Sequence, residues 1–568
     1  MWLFKYTICP VVFFFLYITF HSKFRKNQKC VTLHRYLSGA VLALLACCFT
    51  ACSEDDDVTV QEYDPNTPVT ITDFLPKSGG ANDRLIIYGE NFGNDTSKVK
   101  VTVGGVKATL ISAKSNVRGN DDGLYVFVPQ GAFSGEIQVT VGDETTGTQS
   151  ATATEKFEYE RKMVVGRLCG YRNEYDDQGW NDGPFSTCTG FAADGEMKFD
   201  PKYPNLMYIG YDKGNPGIQV VDFDKQTVES IMGYTKFKNI NRIRSIDFTS
   251  HNGVDYMIVS VDDGSSQQRS PSVYIVRRNE DGTFNENSDT QLLAAYRDCN
   301  GAYIHPVSGD LYFNSYENGQ FFRLDMDVYF ESVDNGSTWD PYLLDYDLNS
   351  PDSPFQQLFT IQDSGWEFKI SIHPTGDYAY ITVVNKHYIL RTDYNKVTEK
   401  FTAPYIVAGE ITNNDDGAWA DGVGTAARLG RPYQGVFVYN EEYAKEGKSD
   451  CYDYYFAESK NHDVRKMTPE GIVSTYAGRG SRTSAADNNV WGTDNGDLRE
   501  VARFRDPSGL AYDESKKMFY VLDTVGCSIR TIGMEEAPEE SGEGNNEGSD
   551  TEGETTGEAG AGTQSTAN

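Results

Sequence analysis

The chain reads as all-β, a small sandwich followed by a larger repeat array, on three observations. Aromatic residues make up 13% of it, with 54 Gly and 36 Tyr, a composition suited to many strands joined by tight turns. Short runs of β-branched and aromatic residues recur along its length, separated by Gly, Pro, Asn and Asp. One unit, an apolar strand ending before Asp, His, Thr or Tyr, then a turn and an aromatic strand, returns six times between Arg161 and Met534. With 568 residues there is room for two or three domains.

In chain order, two apolar runs come first. Trp2–Phe20 is broken by Lys5 and Pro10, whereas Leu37–Ala51 has Arg35 before it and Cys52 after it, the layout of a secretory leader. Phe49-Thr50-Ala51-Cys52 resembles a lipobox, where a bacterial leader is cut before a lipidated cysteine. The acidic run Ser53-Glu54-Asp55-Asp56-Asp57 resembles the surface-export signal of some Gram-negative outer-membrane lipoproteins. These resemblances imply a leader over 1–51, acyl chains on Cys52, and an outer-membrane location facing the exterior, with the lipid anchor as the membrane contact. A transmembrane helix at Trp2–Phe20 is the competing reading. Residues 52–68 then form an acidic tether.

Residues 69–160 carry several short alternating strands, which predicts a β-sandwich. Val99–Ser115 reads as a hairpin around Gly104-Gly105. The phrases Pro76-Lys77-Ser78-Gly79-Gly80, Tyr88-Gly89-Glu90-Asn91-Phe92-Gly93 and the closing Phe157-Glu158-Tyr159 resemble an IPT/TIG domain, an immunoglobulin-like module. The resemblance implies a spacer or interaction module, and no catalytic cluster is visible in it.

Residues 161–534 hold the six copies, which start at Met197, Ile246, Ala302, Ile370, Val436 and Leu510. Each has a third strand and five have a fourth. The sixth copy lacks its fourth, while Arg161–Gly170 mimics Gly471–Gly478 and precedes the first complete unit. That predicts an N-terminal strand closing the ring against the last blade, which removes an open sheet edge. Asn461–Gly478, with Gly424–Val438 and its near-copy Val501–Asp513, resembles the NHL repeat of β-propellers. The fold expected is therefore an IPT/TIG sandwich followed by a six-bladed NHL-type propeller. Residues 535–568 have ten acidic residues and no Lys or Arg, and read as a disordered acidic tail.

The formal charge of −32 argues against a nucleic-acid partner, which needs a basic surface. The ten Cys fit no metal spacing; Cys169 and Cys527 fall in one blade, so a disulfide there is one possibility beside buried free thiols. No cofactor motif, nucleophile motif or phosphate loop is present. The Asp-rich loops invite Ca²⁺, but none matches a calcium loop. His305, His373 and His462 stand at repeat positions and read as structural.

Three loops that lead into first strands are alike, and each brings a Trp ahead of an Asp and a Gly: Trp180 with Asp182, Trp419 with Asp421, Trp491 with Asp494. Aromatic faces beside carboxylates suit a sugar, and Arg172, Arg479 and Arg482 could pair with an acidic one. The competing reading is that the repeated Trp fills the wedge between blades. Together these features resemble surface lipoproteins of bacterial glycan-uptake systems. The resemblance implies a non-catalytic glycan binder that passes its ligand to an outer-membrane transporter complex. A protein-interaction scaffold, or a polysaccharide hydrolase or lyase, are the alternatives.

Overall fold

The computed structural model describes residues 62–129, 131–171, 179–213, 216–264, 267–315, 319–361, 367–479 and 490–535. The leader, Cys52 and the acidic tail lie outside the described residues.

Two antiparallel sheets face each other in the sandwich. One runs in the order Thr70–Leu75, Arg84–Glu90, Asp121–Phe127, Thr109–Arg118; the other Val106–Lys107, Val99–Val103, Ile137–Asp143, Gly147–Thr152. Alternation sets which side faces in. Val99, Val101 and Val103 are buried and Lys100 is exposed between them. They meet Leu85, Ile87, Leu124 and Val126 of the opposite sheet in one core. The hairpin at Gly104-Gly105 has φ of 57° and 82°, a two-residue turn whose twist matches the strands and which a side chain would strain.

Six further antiparallel sheets follow. Their first strands are Gly195–Phe199, Ile243–His251, Ala302–Ile304, Phe368–Ile372, Pro432–Tyr439 and Pro507–Asp513. Each first strand touches the next in order, and the sixth touches the first. The second strands are buried over most of their length, Leu311–Ser315 and Tyr378–Val383 throughout. A sheet covered on both faces needs such continuous runs, not alternation. Neighbouring sheets interlock through their second and third strands: Ile258, Val273 and Ile275 of the second pack with Leu311, Phe313 and Phe322 of the third. The sixth sheet's outer strand is Met163–Cys169, which pairs antiparallel with Ser528–Met534, Val164 opposite Gly533 and Val165 opposite Ile532.

Antiparallel order divides the loops between two faces. Loops entering first strands share a face with those joining second to third strands. The other face carries the turns after first strands, the insertion 325–354 and the junction with the sandwich. In the insertion, the helix Met326–Asp334 buries Tyr329 and Phe330, and Trp339 Nε1 donates to the Leu293 carbonyl at 2.9 Å. At the junction, the Glu535 carboxylate accepts from Tyr159 Oη at 2.6 Å, and Lys162 Nζ meets Asp83 at 2.6 Å.

Cys169 and Cys527 are both thiols, with no disulfide between them. Cys527 sits in a left-handed turn, φ 52°, with its thiol towards the Val525 carbonyl. The thiol that shares a hydrogen bond with Cys169 is Cys188, and burial pushes Cys169 well up.

Candidate functional site

The Trp-bearing loops run along sheet edges. Gly183–Pro184, Gly422–Val423 and Gly496–Asp497 each add a two-residue strand beside the outer strand of a sheet. The residue before each glycine ties the loop to the third strand. Asp182 accepts from Gln219 Nε2 at 2.8 Å and from Ser230 N at 2.8 Å. Asp421 accepts from Arg465 Nη2 at 3.0 Å and Thr475 Oγ1 at 2.9 Å. In the third loop this place belongs to Asn495, whose Oδ1 accepts from Arg530 Nη2 at 2.7 Å. Asp494 instead offers its backbone carbonyl to Arg530 Nη2 at 2.8 Å. Arg465 and Arg530 are fully buried, and each needs these partners along with Glu458 and Asp523 at 2.8 and 3.2 Å.

The Trp rings pack differently. Trp180 meets Tyr211 edge-on at 4.7 Å, and a Cβ on Gly190 would fall 2.4 Å from its ring, so glycine is required there. Trp419 donates from Nε1 to Thr475 Oγ1 at 3.1 Å and lies under the Arg479 guanidinium at 4.7 Å. Arg479 is itself buried and donates to Asn461 Oδ1 at 3.2 Å. Trp491 is 44% exposed, with Arg505 stacked on it at 4.6 Å. Arg172 and Arg482 lie outside the described residues. Each Trp packs within its own sheet, against Tyr211, Thr475 and Arg505 respectively.

Imidazoles tie successive sheets together. His387 Nδ1 accepts from Arg431 N at 2.9 Å and His462 Nδ1 from Asp506 N at 3.2 Å. Both histidines hold a positive φ, 63° and 56°. His305 Nε2 bonds the Gly376 carbonyl at 2.9 Å and its ring stacks on Tyr394.

A cavity of about 500 Å³ lies on the axis, at the end where the first strands finish. Its walls include Phe199, Phe248, Ile304, Ile372, Phe437 and Tyr512. Its deepest polar groups come from residues nearer the strand starts. Lys369 of the fourth sheet reaches across to Glu196 of the first, Nζ to Oε1 at 3.3 Å. The same ammonium donates to the Arg244 carbonyl at 2.5 Å and the Asn300 carbonyl at 3.3 Å. Tyr303 of the third sheet donates from Oη to Glu196 Oε1 at 2.6 Å. Burial pushes the Glu196 carboxyl up and the facing Lys369 pulls it back. Gln434 of the fifth sheet accepts at Oε1 from Met197 N and Leu510 N, both at 2.9 Å, and so joins three first strands. Glu196 Oε2 is buried and has no hydrogen-bond partner.

Beyond this floor the other end of the axis is filled by charge. Arg244 is fully buried and contacts Asp212 and Glu367, the latter at 2.5 Å. Arg242 Nη1 meets Asp262 at 2.8 Å. Arg431 Nη2 stands 3.7 Å from Glu367 and 3.9 Å from Asp194. Burial pushes the Asp194 carboxyl up to about 6 against the pull of Arg431. Among the described residues no group of three or more His, Cys, Asp or Glu is placed to hold a metal ion.

The sequence reading missed Glu196 and Lys369. The available signal was a charge set inside an apolar strand, Gly195-Glu196-Met197 and Phe368-Lys369-Ile370.

Residues 68–159 match the model of the IPT/TIG domain. A Bacteroides thetaiotaomicron protein, provisionally labelled a phosphatase, is 52% identical with a TM-score of 0.72; the match covers 84% of this chain and 99% of that one. An auxiliary nutrient binding protein from the same species is 38% identical, TM-score 0.70, covering 84% of this chain and 100% of that one. Another from Bacteroides ovatus is 32% identical, TM-score 0.56, with the same coverages. No curated protein matches the chain. At 52% identity over 84% of its length, the chain belongs to the family represented by these Bacteroides structures, with an IPT/TIG domain over residues 68–159.

Proposed function

We propose that this protein is a non-catalytic, lipid-anchored surface protein that binds a glycan in the axial cavity. In this reading the six sheets are the blades of a propeller closed by Met163–Cys169, and the sandwich is its spacer. Two relatives carry the name auxiliary nutrient binding protein, which supports nutrient capture as the task. The observation that carries the reading is the cavity itself: about 500 Å³, walled by aromatic and aliphatic side chains, with one buried acceptor at its base. That is the size and composition of a small-ligand site. Cys52, acylated, would hold the chain at the outer membrane, where an uptake complex receives the ligand. Isothermal titration of the full chain against neutral and acidic oligosaccharides tests the reading. Saturable binding at one site per chain is the expected result; a folded protein that binds none of them removes the proposal.

A further inference from the structure

We infer that the axial cavity takes the end of a neutral, hydroxyl-bearing glycan chain, with one sugar hydroxyl donating to Glu196 Oε2. This rests on the glycan-binding reading above and adds the class of glycan and the part of it that is recognised.

The first argument is the floor. Glu196, Lys369, Tyr303 and Gln434 close the cavity across the axis through bonds that join the first, third, fourth, fifth and sixth sheets. Arg244, Glu367 and Asp212 fill the space beyond. A polysaccharide therefore cannot thread the axis. It enters from one side and stops, which admits a chain end or a short oligomer.

The second argument is which polar atoms remain available. The Lys369 ammonium has three donors and three acceptors, the carbonyls of Arg244 and Asn300 and Glu196 Oε1. It has no donor left for a carboxylate or sulfate on the ligand. Lys198 at the rim is held by Asp247 Oδ1 at 3.1 Å, and the other Asp247 oxygen accepts from Ile304 N at 2.8 Å. Gln434 Oε1 already accepts two backbone N–H groups. Glu196 Oε2 is the buried acceptor at this depth that lacks a partner. An unmet acceptor calls for a donor on the ligand.

The third argument separates a hydroxyl from an ammonium. Lys369 already neutralises Glu196 and stands 3.3 Å from its other oxygen. A ligand ammonium at Oε2 would face that positive charge at close range in a desolvated site, whereas a hydroxyl would not. The walls fit the rest of a sugar ring. Phe199, Phe248, Phe437 and Tyr512 offer apolar surface to its C–H faces, and the open side leaves its outward hydroxyls in water.

The test titrates the full chain with length ladders, dimers to octamers, of neutral oligosaccharides (gluco-, manno-, xylo- and galacto-series), oligogalacturonides and glucosamine oligomers. The expected result is that a neutral series binds with one protein per chain at every length, and that acidic and amino series bind at least about tenfold more weakly. Glu196→Gln, which removes the acceptor charge, should weaken the neutral ligand about tenfold or more. Its melting temperature is checked alongside, and Ala511→Phe, which narrows the cavity from its wall, serves as the second variant and should also weaken binding. Several proteins bound per long chain, tighter binding of the acidic or amino series, or a folded Glu196→Gln that binds like wild type overturns the inference and leaves glycan capture standing. Absence of binding to every series removes both.

Discussion

The two ends of the axis, one where the first strands begin and one where they finish, behave oppositely. Where the strands begin, charged side chains bond one another: Arg244 with Glu367 and Asp212, Arg242 with Asp262, Arg431 beside Asp194 and Glu367. Where they finish, aromatic and aliphatic residues surround open space and one acceptor is left unmet. The contrast teaches how to tell a structural polar cluster from a receptive one. At the charged end each buried charge has an opposite charge beside it; a buried acceptor that lines an apolar cup and has no protein hydrogen-bond partner is the group that a ligand completes.

The strongest way to break the comparison is at the charged end. Arg244→Met leaves Glu367 and Asp212 without their buried counter-charge, and should cost about 3–5 kcal/mol in urea unfolding. A loss below about 1 kcal/mol would mean that the cluster is not holding the ring. Asp421→Ala comes next. It removes one partner of the fully buried Arg465 and one of Thr475. A loss of about 1–3 kcal/mol is expected, with glycan affinity unchanged by calorimetry.

The Asp194 carboxyl sharpens the comparison through pH. Its folded value of about 6 lies above the ordinary value of about 3.9 for an unfolded aspartate. The folded state therefore holds this proton more tightly. The stability it contributes is complete below about pH 4 and is lost as pH rises through about 6. Arg431, Glu367, Asp212 and Asp506 are the charges that face it. Asp194→Asn should thus gain stability relative to wild type between about pH 4 and 6. Parallel urea midpoints for the two proteins across that range would contradict this.

The smallest effect belongs to Trp491. It is half-exposed and stacks with Arg505, so Trp491→Ala should cost about 0.5–1 kcal/mol by thermal unfolding. Glycan affinity should stay within twofold. A tenfold loss would move the ligand to the Trp-bearing face.

Much of the architecture was legible because it is local. Period-2 alternation placed Val99, Val101 and Val103 on one side, and Gly104-Gly105 marked the hairpin. Six copies of one strand–turn–strand unit announced six sheets, and Arg161–Gly170 was readable as the missing outer strand because it mimics Gly471–Gly478. The site was less legible. The repeated Trp and Asp residues stood out, yet repetition marks whatever each sheet needs, and Asp182 and Asp421 are spent on Gln219, Ser230, Arg465 and Thr475. In the third loop the equivalent structural bond is made by Asn495 and not by the Asp494 side chain.

By itself, the sequence determined the strands, their turns and the sandwich-then-repeat order, since these follow from side-chain alternation and turn chemistry within a few neighbours. Only the tertiary structure decided what lies on the axis. Glu196, Tyr303 and Lys369 belong to different sheets and carry no shared motif, and they meet because the ring of first strands brings them to one point. Which polar atom is left unmet there depends on every bond its neighbours make. That is a property of the assembled network and not of any stretch of chain.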